Sequence, residues 1–154
     1  MNEAELIYAD IPGGSDLVAW FGQVPIFHDA EIVSLSLHRR APSLLSIHTW
    51  NMTKEVDDRG YFVLDRHAVV TFVLEDVLDL QLDGFSHQNV IFGLRLHRAP
   101  DRPDRRRLYW FDPSPDDYEI ELEPCFGLDG RIRCRRVGVS FVPGKPDDVR
   151  SRTD

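Results

Sequence analysis

The segment from Asp117 to Glu123 follows a strict two-residue alternation, in which every second side chain is a carboxylate. In a β-strand, successive side chains point to opposite faces of the sheet. Tyr118, Ile120 and Leu122 would therefore enter a core together, while four carboxylates stand in a row on the other face. Carboxylates two positions apart lie roughly 7 Å from each other and repel. The fold must offset this repulsion with cross-strand arginines, with solvent and counterions, or with a basic partner.

The same alternation recurs in most segments between residues 31 and 142 and predicts a domain made mainly of β-strands. The predicted strands are 31–39, 43–52, 67–74, 77–83, 90–97, 106–111 and 117–123, followed by the second arm of a final hairpin. Apolar side chains share the even positions from Ala68 to Leu82, and the break at Glu75-Asp76 is either a turn or a bulge. We expect an antiparallel β-sandwich or a rolled half-barrel of about 7–9 strands with one short N-terminal helix.

Turn residues fix the neighbours that we expect for the acidic strand. Asp129-Gly130 is a strong type I′ hairpin sequence. It pairs Tyr118 with Phe141, Ile120 with Val139, Leu122 with Val137, Glu123 with Arg136 and Cys125 with Cys134. On the other side, strand 106–111 pairs Trp110 with Tyr118 and sets Arg107 opposite Glu121 and Arg105 opposite Glu123. These registers give the last two carboxylates of the row basic neighbours and leave Asp117 and Glu119 without any.

An uncompensated acidic patch is the candidate binding site that follows from these registers. It consists of two strand carboxylates, two aspartates of the adjoining loop and two aromatic side chains at its edge: Asp117, Glu119, Asp112, Asp116, Tyr109 and Phe111. One interpretation is a docking surface for a basic protein. The alternative is a solvated sheet face whose charges are paired in the ordinary way.

The two ends of the chain lack the strand pattern. Residues 1–14 are acidic and contain Pro-Gly-Gly, which predicts a flexible N-terminal arm. Ser15-Asp16 can cap a short helix that Gly22 ends. The tail at 143–154 has few apolar residues and predicts disorder, so that a single β-rich domain remains at 15–142.

Composition limits the classes of partner. The chain has 154 residues, with 26 acidic against 18 Lys and Arg side chains and a formal net charge of -8. This balance argues against nucleic acid as a main partner, because phosphate binding needs a basic surface. The N-terminus lacks the regions of a signal peptide, and no apolar run reaches the ~20 residues that span a bilayer. We therefore expect a cytoplasmic protein without membrane contact, whose Cys125 and Cys134 are thiols.

The sequence contains no motif for catalysis or metal binding. A Gly-x-Ser-x-Gly elbow, a glycine-rich phosphate loop and a Cys-x-x-Cys or His-Glu-x-x-His pattern are all absent. His28, His38 and His48 recur at ten-residue intervals. In the predicted first hairpin, however, His38 and His48 lie roughly 14 Å apart, too far to share one zinc ion. We predict no catalytic residue, no metal and no cofactor, which favours a non-enzymatic protein without excluding an enzyme.

Three stretches carry a resemblance to a known family: FHDAEIVSLSLHR at 27–39, LEDVLDLQLDGFSHQNVI at 74–91 and CFGLDGRIRCRRVGVSF at 125–141. They resemble the immunity protein 50 family, small bacterial proteins associated with polymorphic toxin systems, or a related β-rich family. The resemblance implies a cytoplasmic protein that neutralises a cognate toxin by binding it, without catalysis. It assigns no residue of this chain to toxin contact.

Two functional hypotheses follow. The first is a non-enzymatic binding protein, an immunity-type inhibitor whose acidic patch engages a basic toxin domain. The second is a small-molecule-binding β module or an enzyme, with a pocket at an open end of the barrel near His28, Glu31 and Trp50. A deep pocket with converging polar groups favours the second hypothesis, and a shallow acidic face favours the first.

Overall fold

Two helices and six strands make up the computed structural model, which describes residues 2–146. The helices are α1 (Glu3–Asp10) and α2 (Gly14–Phe21). The strands are β1 (Glu31–Ser36), β2 (Ser43–Val56), β3 (Phe62–Asp83), β4 (Val90–Arg98), β5 (Tyr118–Phe126) and β6 (Asp129–Pro143). A long loop at residues 99–117 joins β4 to β5 and contains a 3-10 turn at Arg106–Leu108. Within the described range, no helix is long and apolar enough to cross a membrane.

The six strands form one closed antiparallel barrel in the order β1-β2-β3-β6-β5-β4. A short contact between β1 and β4 closes it, where Glu31 pairs with Val90. Beside this pair, the backbone N–H of Ile32 donates to the carbonyl of Asn89 at 2.8 Å. The predicted antiparallel, mainly β fold with a rolled sheet is therefore confirmed.

Alternation along β3 builds much of the barrel core. Four apolar side chains at even positions are fully buried, as predicted: Ala68, Val70, Phe72 and Leu74. A bulge then interrupts the strand, because Asp76 has a φ of 55° and the pairing with β6 shifts between Val77 and Asp79. The two segments predicted as 67–74 and 77–83 are thus one continuous strand, bent at the bulge.

Helix α1 replaces the flexible N-terminal arm predicted for residues 1–14. The Asn2 side chain caps the helix by accepting the N–H of Glu5 at 2.8 Å. Tyr8 is buried against the core, and the β6 backbone donates an N–H to the carbonyl of Pro12 at 2.9 Å. The arm prediction is wrong because these tertiary contacts offset the entropy of ordering a short helix.

Helix α2 confirms the short helix predicted near Ser15, but its N-cap is Gly13 and no side chain caps it, so that the predicted Ser15-Asp16 cap is wrong. It ends as expected at Gly22, whose φ of 80° is a left-handed conformation that glycine adopts without steric cost. Leu17 and Phe21 hold the helix in place because both side chains are buried in the core. The tail predicted as disordered, 143–154, lies mostly outside the described residues.

Candidate functional site

The pairing of β5 with β6 decides which residues face the acidic strand. The observed pairs are Tyr118 with Cys134, Glu119 with Arg133, Ile120 with Ile132, Glu121 with Arg131 and Leu122 with Gly130. The predicted register, with Tyr118 opposite Phe141, is wrong. The physical reason is that Asp129 and Gly130 belong to β6, while the chain turns earlier, at Gly127, whose φ is 89°.

A row of alternating charges crosses four strands on the outer face of the barrel. Asp79 of β3 pairs with Arg133 of β6, and Arg133 pairs in turn with Glu119 of β5. Glu119 then pairs with His97 of β4. Opposite charges on neighbouring strands stabilise a sheet face, so that the β6 arginines offset the repulsion within the acidic strand.

The loop at residues 99–117 folds over this row, and we call it the clamped loop. Arg102 donates from Nε and Nη2 to the two oxygens of Glu119, at 2.9 and 2.7 Å. Arg105 makes a similar fork to Asp79, with its Nε 3.1 Å from Oδ2. Two-point pairs between guanidinium and carboxylate groups restrain orientation as well as distance. Both forks therefore fix the loop against the outer face of the barrel.

Asp117 adds a third clamp at the C-terminal end of the loop. Its side chain is 1% exposed and lies 2.9 Å from Arg133 Nη2 and 2.7 Å from Arg135 Nη1. The N–H of Ser114 also donates to Oδ2, at 3.0 Å. Burial alone would raise the pKa of Asp117, but these hydrogen bonds outweigh burial and lower the pKa below its usual value.

Glu119 is buried, and two basic side chains hold its charge. His97 Nε2 lies 3.2 Å from Oε2, while the Nδ1–H of the same ring donates to the carbonyl of Arg98 at 2.9 Å. Burial alone would raise the pKa of Glu119, but the contacts with His97 and Arg102 lower it to about 2. Contact with Glu119 in turn raises the pKa of His97. The cluster is therefore a network of ion pairs.

His97, Glu119 and Glu121 form the one group of three possible metal ligands in the described part of the chain, with ligand atoms within 4.8 Å of one another. Arg102 already occupies both oxygens of Glu119, and Arg95 lies 3.4 Å from Glu121. A divalent cation would add two positive charges beside these guanidinium groups. The arrangement thus suits ion pairing better than metal binding.

Trp110 projects from the clamped loop and is 100% exposed. Its neighbours Tyr109 and Phe111 turn the other way, with their rings stacked at a centroid distance of 4.3 Å. The hydroxyl of Tyr109 donates to Asp79 at 3.3 Å, and the guanidinium of Arg135 lies 5.6 Å from the centre of the Phe111 ring. Because the rings on both sides are anchored, the indole of Trp110 is held outward.

The structure divides the predicted acidic patch. Asp117 and Glu119 are buried and paired with arginines, so that the prediction of two uncompensated carboxylates is wrong. Asp112 and Asp116 are exposed, as a binding surface requires. The two edge aromatics are half-buried and anchor the loop instead of forming the rim of a patch.

The sequence pattern did not predict Trp110 and the clamping arginines as site residues. The predicted strand 106–111 does not form, since Arg106–Leu108 is a 3-10 turn and β4 pairs with β5 in its place. Trp110, expected opposite Tyr118, is therefore in solvent. A usable signal was present in β6, where three arginines alternate as the β5 carboxylates do: Arg131, Arg133 and Arg135. Matching these two alternations would have predicted the paired rows.

The three residues predicted to lie near a small-molecule pocket, His28, Glu31 and Trp50, contact the following neighbours in the structure. The ring of His28 packs against Phe92 of β4, with ring centres 5.0 Å apart. Glu31 pairs with His48, and the Trp50 ring lies 5.0 Å from the ring of His48 on the outer face of β2. A groove of about 800 Å³ lies elsewhere, between α1 and β4.

Comparison of the chain with protein-family models, with curated proteins and with solved structures found no match. The resemblance to immunity proteins therefore depends on sequence motifs alone.

Proposed function

We propose that this protein is a non-enzymatic binding protein of the immunity type, which captures a basic protein partner with its clamped loop. The observation that carries the proposal is the fully exposed indole of Trp110, on a loop fixed by buried ion pairs. Tryptophan is enriched among the residues that dominate the binding energy of protein interfaces. An indole held outward by its neighbours is ready for such a contact.

The clamps reduce the entropy that the loop would lose on binding. An unrestrained loop would have to be ordered by its partner, at a cost of roughly 0.5–1.5 kcal/mol for each immobilised side chain. Arg102, Arg105 and Asp117 already order this loop against the barrel. More of the energy gained by burying Trp110 then contributes to affinity.

The charge of the clamped loop favours a basic partner. Three of its exposed carboxylates form no ion pair with any described residue: Asp104, Asp112 and Asp116. Against these three negative charges, the loop has one exposed arginine without an ion pair among residues 2–146, which is Arg107. The net charge of -8 acts in the same direction. We expect association that is faster at low salt, because opposite charges steer the encounter.

The resemblance to the immunity protein 50 family supports a toxin domain as the partner. The test is to express the C-terminal domain of the protein encoded by the neighbouring gene in a bacterial host, with and without this chain. We expect restored growth and a 1:1 complex, both of which Trp110→Ala should remove. The control is Tyr61→Ala, an exposed aromatic residue of the β2–β3 hairpin, which should preserve both. Protection that survives Trp110→Ala, or a neighbouring protein that the chain does not bind, would contradict the proposal.

A second candidate function is the binding of a small amphipathic molecule between α1 and β4. The groove volume of about 800 Å³ lies in the range of small-molecule sites. Leu6, Ile26 and Leu94 give it an apolar wall, and its charged lining combines Arg95 and Arg98 with the carboxylates of Glu3 and Asp10. Dodecanoate is a suitable probe. Saturable binding by calorimetry that is lost in Leu94→Trp would favour this function, and undetectable binding of dodecanoate would count against it.

A further inference from the structure

Two histidines lie side by side on the outer face of strands β2 and β3. His48 Nε2 and His67 Nδ1 are 3.0 Å apart, and both rings are half-buried. Three of their four neighbours in the chain, Ile47, Thr49 and Ala68, are buried, so that the two imidazoles point outward; the fourth, Arg66, is exposed and has a φ of 53°. The pairing of Thr49 with Ala68 fixes the distance between the two strands at this point.

We propose that His48 and His67 bind a divalent transition-metal ion between these two nitrogens. Imidazole is the commonest side-chain ligand for such ions, at a distance of about 2.0–2.1 Å from zinc. Two ligands of a tetrahedral zinc ion are then about 3.4 Å apart. The observed separation of 3.0 Å needs to widen by only a few tenths of an ångström, which side-chain torsions can supply without moving the strands.

Metal binding requires the hydrogen between the two rings to leave its nitrogen. When both imidazoles are neutral, one of the facing nitrogens carries a hydrogen and the other carries a lone pair. On metal binding this hydrogen leaves the facing nitrogen, either for solvent or for the other nitrogen of the same ring, and two lone pairs then face the ion.

The surroundings of the pair suit a metal ion of intermediate softness. Glu31 of β1 is the exposed strand partner of His48, but Glu31, His48 and His67 do not form a group of ligand atoms within 4.8 Å of one another. The next polar pair on this face, Ser46 and Thr71, is already joined by a hydrogen bond of 2.8 Å between its hydroxyl groups. Two imidazoles completed by water suit Zn²⁺ or Cu²⁺, whereas Mg²⁺ and Ca²⁺ prefer oxygen ligands.

The spacing of the histidines in the sequence did not predict this pair. The ten-residue interval links His48 to His38, which precedes β2 and lies too far along the hairpin. The partner is His67, brought to His48 by the pairing of β2 with β3.

The test uses tag-free protein, Zn²⁺ measured by calorimetry and Cu²⁺ measured by tryptophan fluorescence. We expect one Zn²⁺ per chain and quenching by Cu²⁺, because the Trp50 ring lies 5.0 Å from the ring of His48. His48→Ala and His67→Ala should each weaken the binding of both ions by roughly tenfold or more. The matched control is His87→Ala, an exposed histidine outside the strands, which should leave both affinities unchanged.

Two further variants keep the result interpretable. Trp50→Phe should remove the quenching but retain calorimetric binding, since the indole reports the ion without binding it. If His67→Ala does not fold, His67→Gln keeps a polar side chain of similar size without an imidazole nitrogen. Absence of saturable binding below about 1 mM for both ions would overturn the proposal, as would affinities unchanged in the double variant His48→Ala/His67→Ala.

Discussion

Arg102 binds Glu119 through two parallel hydrogen bonds, from Nε at 2.9 Å and from Nη2 at 2.7 Å. The carboxylate is only 3% exposed, so that water screens the pair weakly. This contact joins the clamped loop to strand β5 and gives the acidic strand a structural role. Asp117 and Glu119 hold the loop in place, and the indole of Trp110 remains exposed.

Replacing Glu119 by Gln should destabilise the fold, because the variant leaves Arg102 and His97 without their shared anion. Removing one member of a buried ion pair costs roughly 3–5 kcal/mol, and partial exposure of Arg102 places the expected loss near 2–3 kcal/mol. The free energy of unfolding in urea at pH 7 measures this loss. The control is Glu123→Gln, exposed on the same strand, which should change stability by less than about 0.5 kcal/mol. Equal losses in the two variants would contradict the clamp.

Acid should destabilise the protein through the same carboxylates. The pKa of Glu119 falls from 4.5 to about 2 on folding, and the pKa of Asp117 is also lowered. The unfolded chain therefore binds these protons first, so that their contribution is complete above about pH 4.5 and is lost as the pH falls towards 2. Urea unfolding between pH 7 and pH 2 measures this slope. We expect a shallower slope in Glu119→Gln, and a slope identical to that of the unmodified chain would argue against the pairing.

The β5–β6 register predicts different reactivities for the two cysteines. Cys125 is exposed, whereas Cys134 is buried, and burial raises the pKa of Cys134 to about 12. Because the thiolate is the reactive form, a thiol-specific reagent should label Cys125 in the native protein and both cysteines after unfolding. Cys125→Ser should abolish native labelling. A disulfide between Cys125 and Cys134 on mild oxidation would contradict the observed register, which does not pair them.

The face of the sheet to which a strand side chain points could be predicted from the sequence, whereas the residue opposite it on the neighbouring strand could not. Side-chain direction follows from the chain's own period, and Val70 and Phe72 are accordingly buried. Register depends on contacts between distant segments. Tyr118 points into the core whether it pairs with Phe141, as predicted, or with Cys134, as observed. The alternation therefore fitted both registers, and only the observed one sets two carboxylates of the strand, Glu119 and Glu121, opposite β6 arginines.

The conformation of the clamped loop could not be predicted from local sequence patterns for a related reason. The segment around Trp110 has the apolar composition of a strand, but the side chains that orient it come from elsewhere in the chain. Arg135 of β6 packs on Phe111, and Asp79 of β3 accepts the hydroxyl of Tyr109. These contacts leave Trp110 facing solvent, the reverse of the predicted direction.

Trp110→Ala should separate binding from stability. The side chain is 100% exposed, so that its removal should change the free energy of unfolding by less than about 0.5 kcal/mol. Dissociation from the proposed toxin partner should become at least roughly thirtyfold faster, the effect expected for a dominant interface residue. Surface plasmon resonance measures the dissociation rate, and Tyr61→Ala serves as the exposed aromatic control. A variant that unfolds more easily but dissociates at the original rate would show that Trp110 is structural.

Exposure and rigidity of Trp110 can be measured together by ¹⁹F NMR of protein labelled with 5-fluorotryptophan. The chain has three tryptophans, and Trp110→Phe identifies the signal of Trp110. The clamped loop predicts a full solvent shift between H₂O and D₂O, with a linewidth equal to that of Trp20, which packs against Phe141. The line should narrow in Glu119→Gln as the loop is released. A narrow Trp110 line in the unmodified protein, or one without a solvent shift, would contradict the clamped display of the indole.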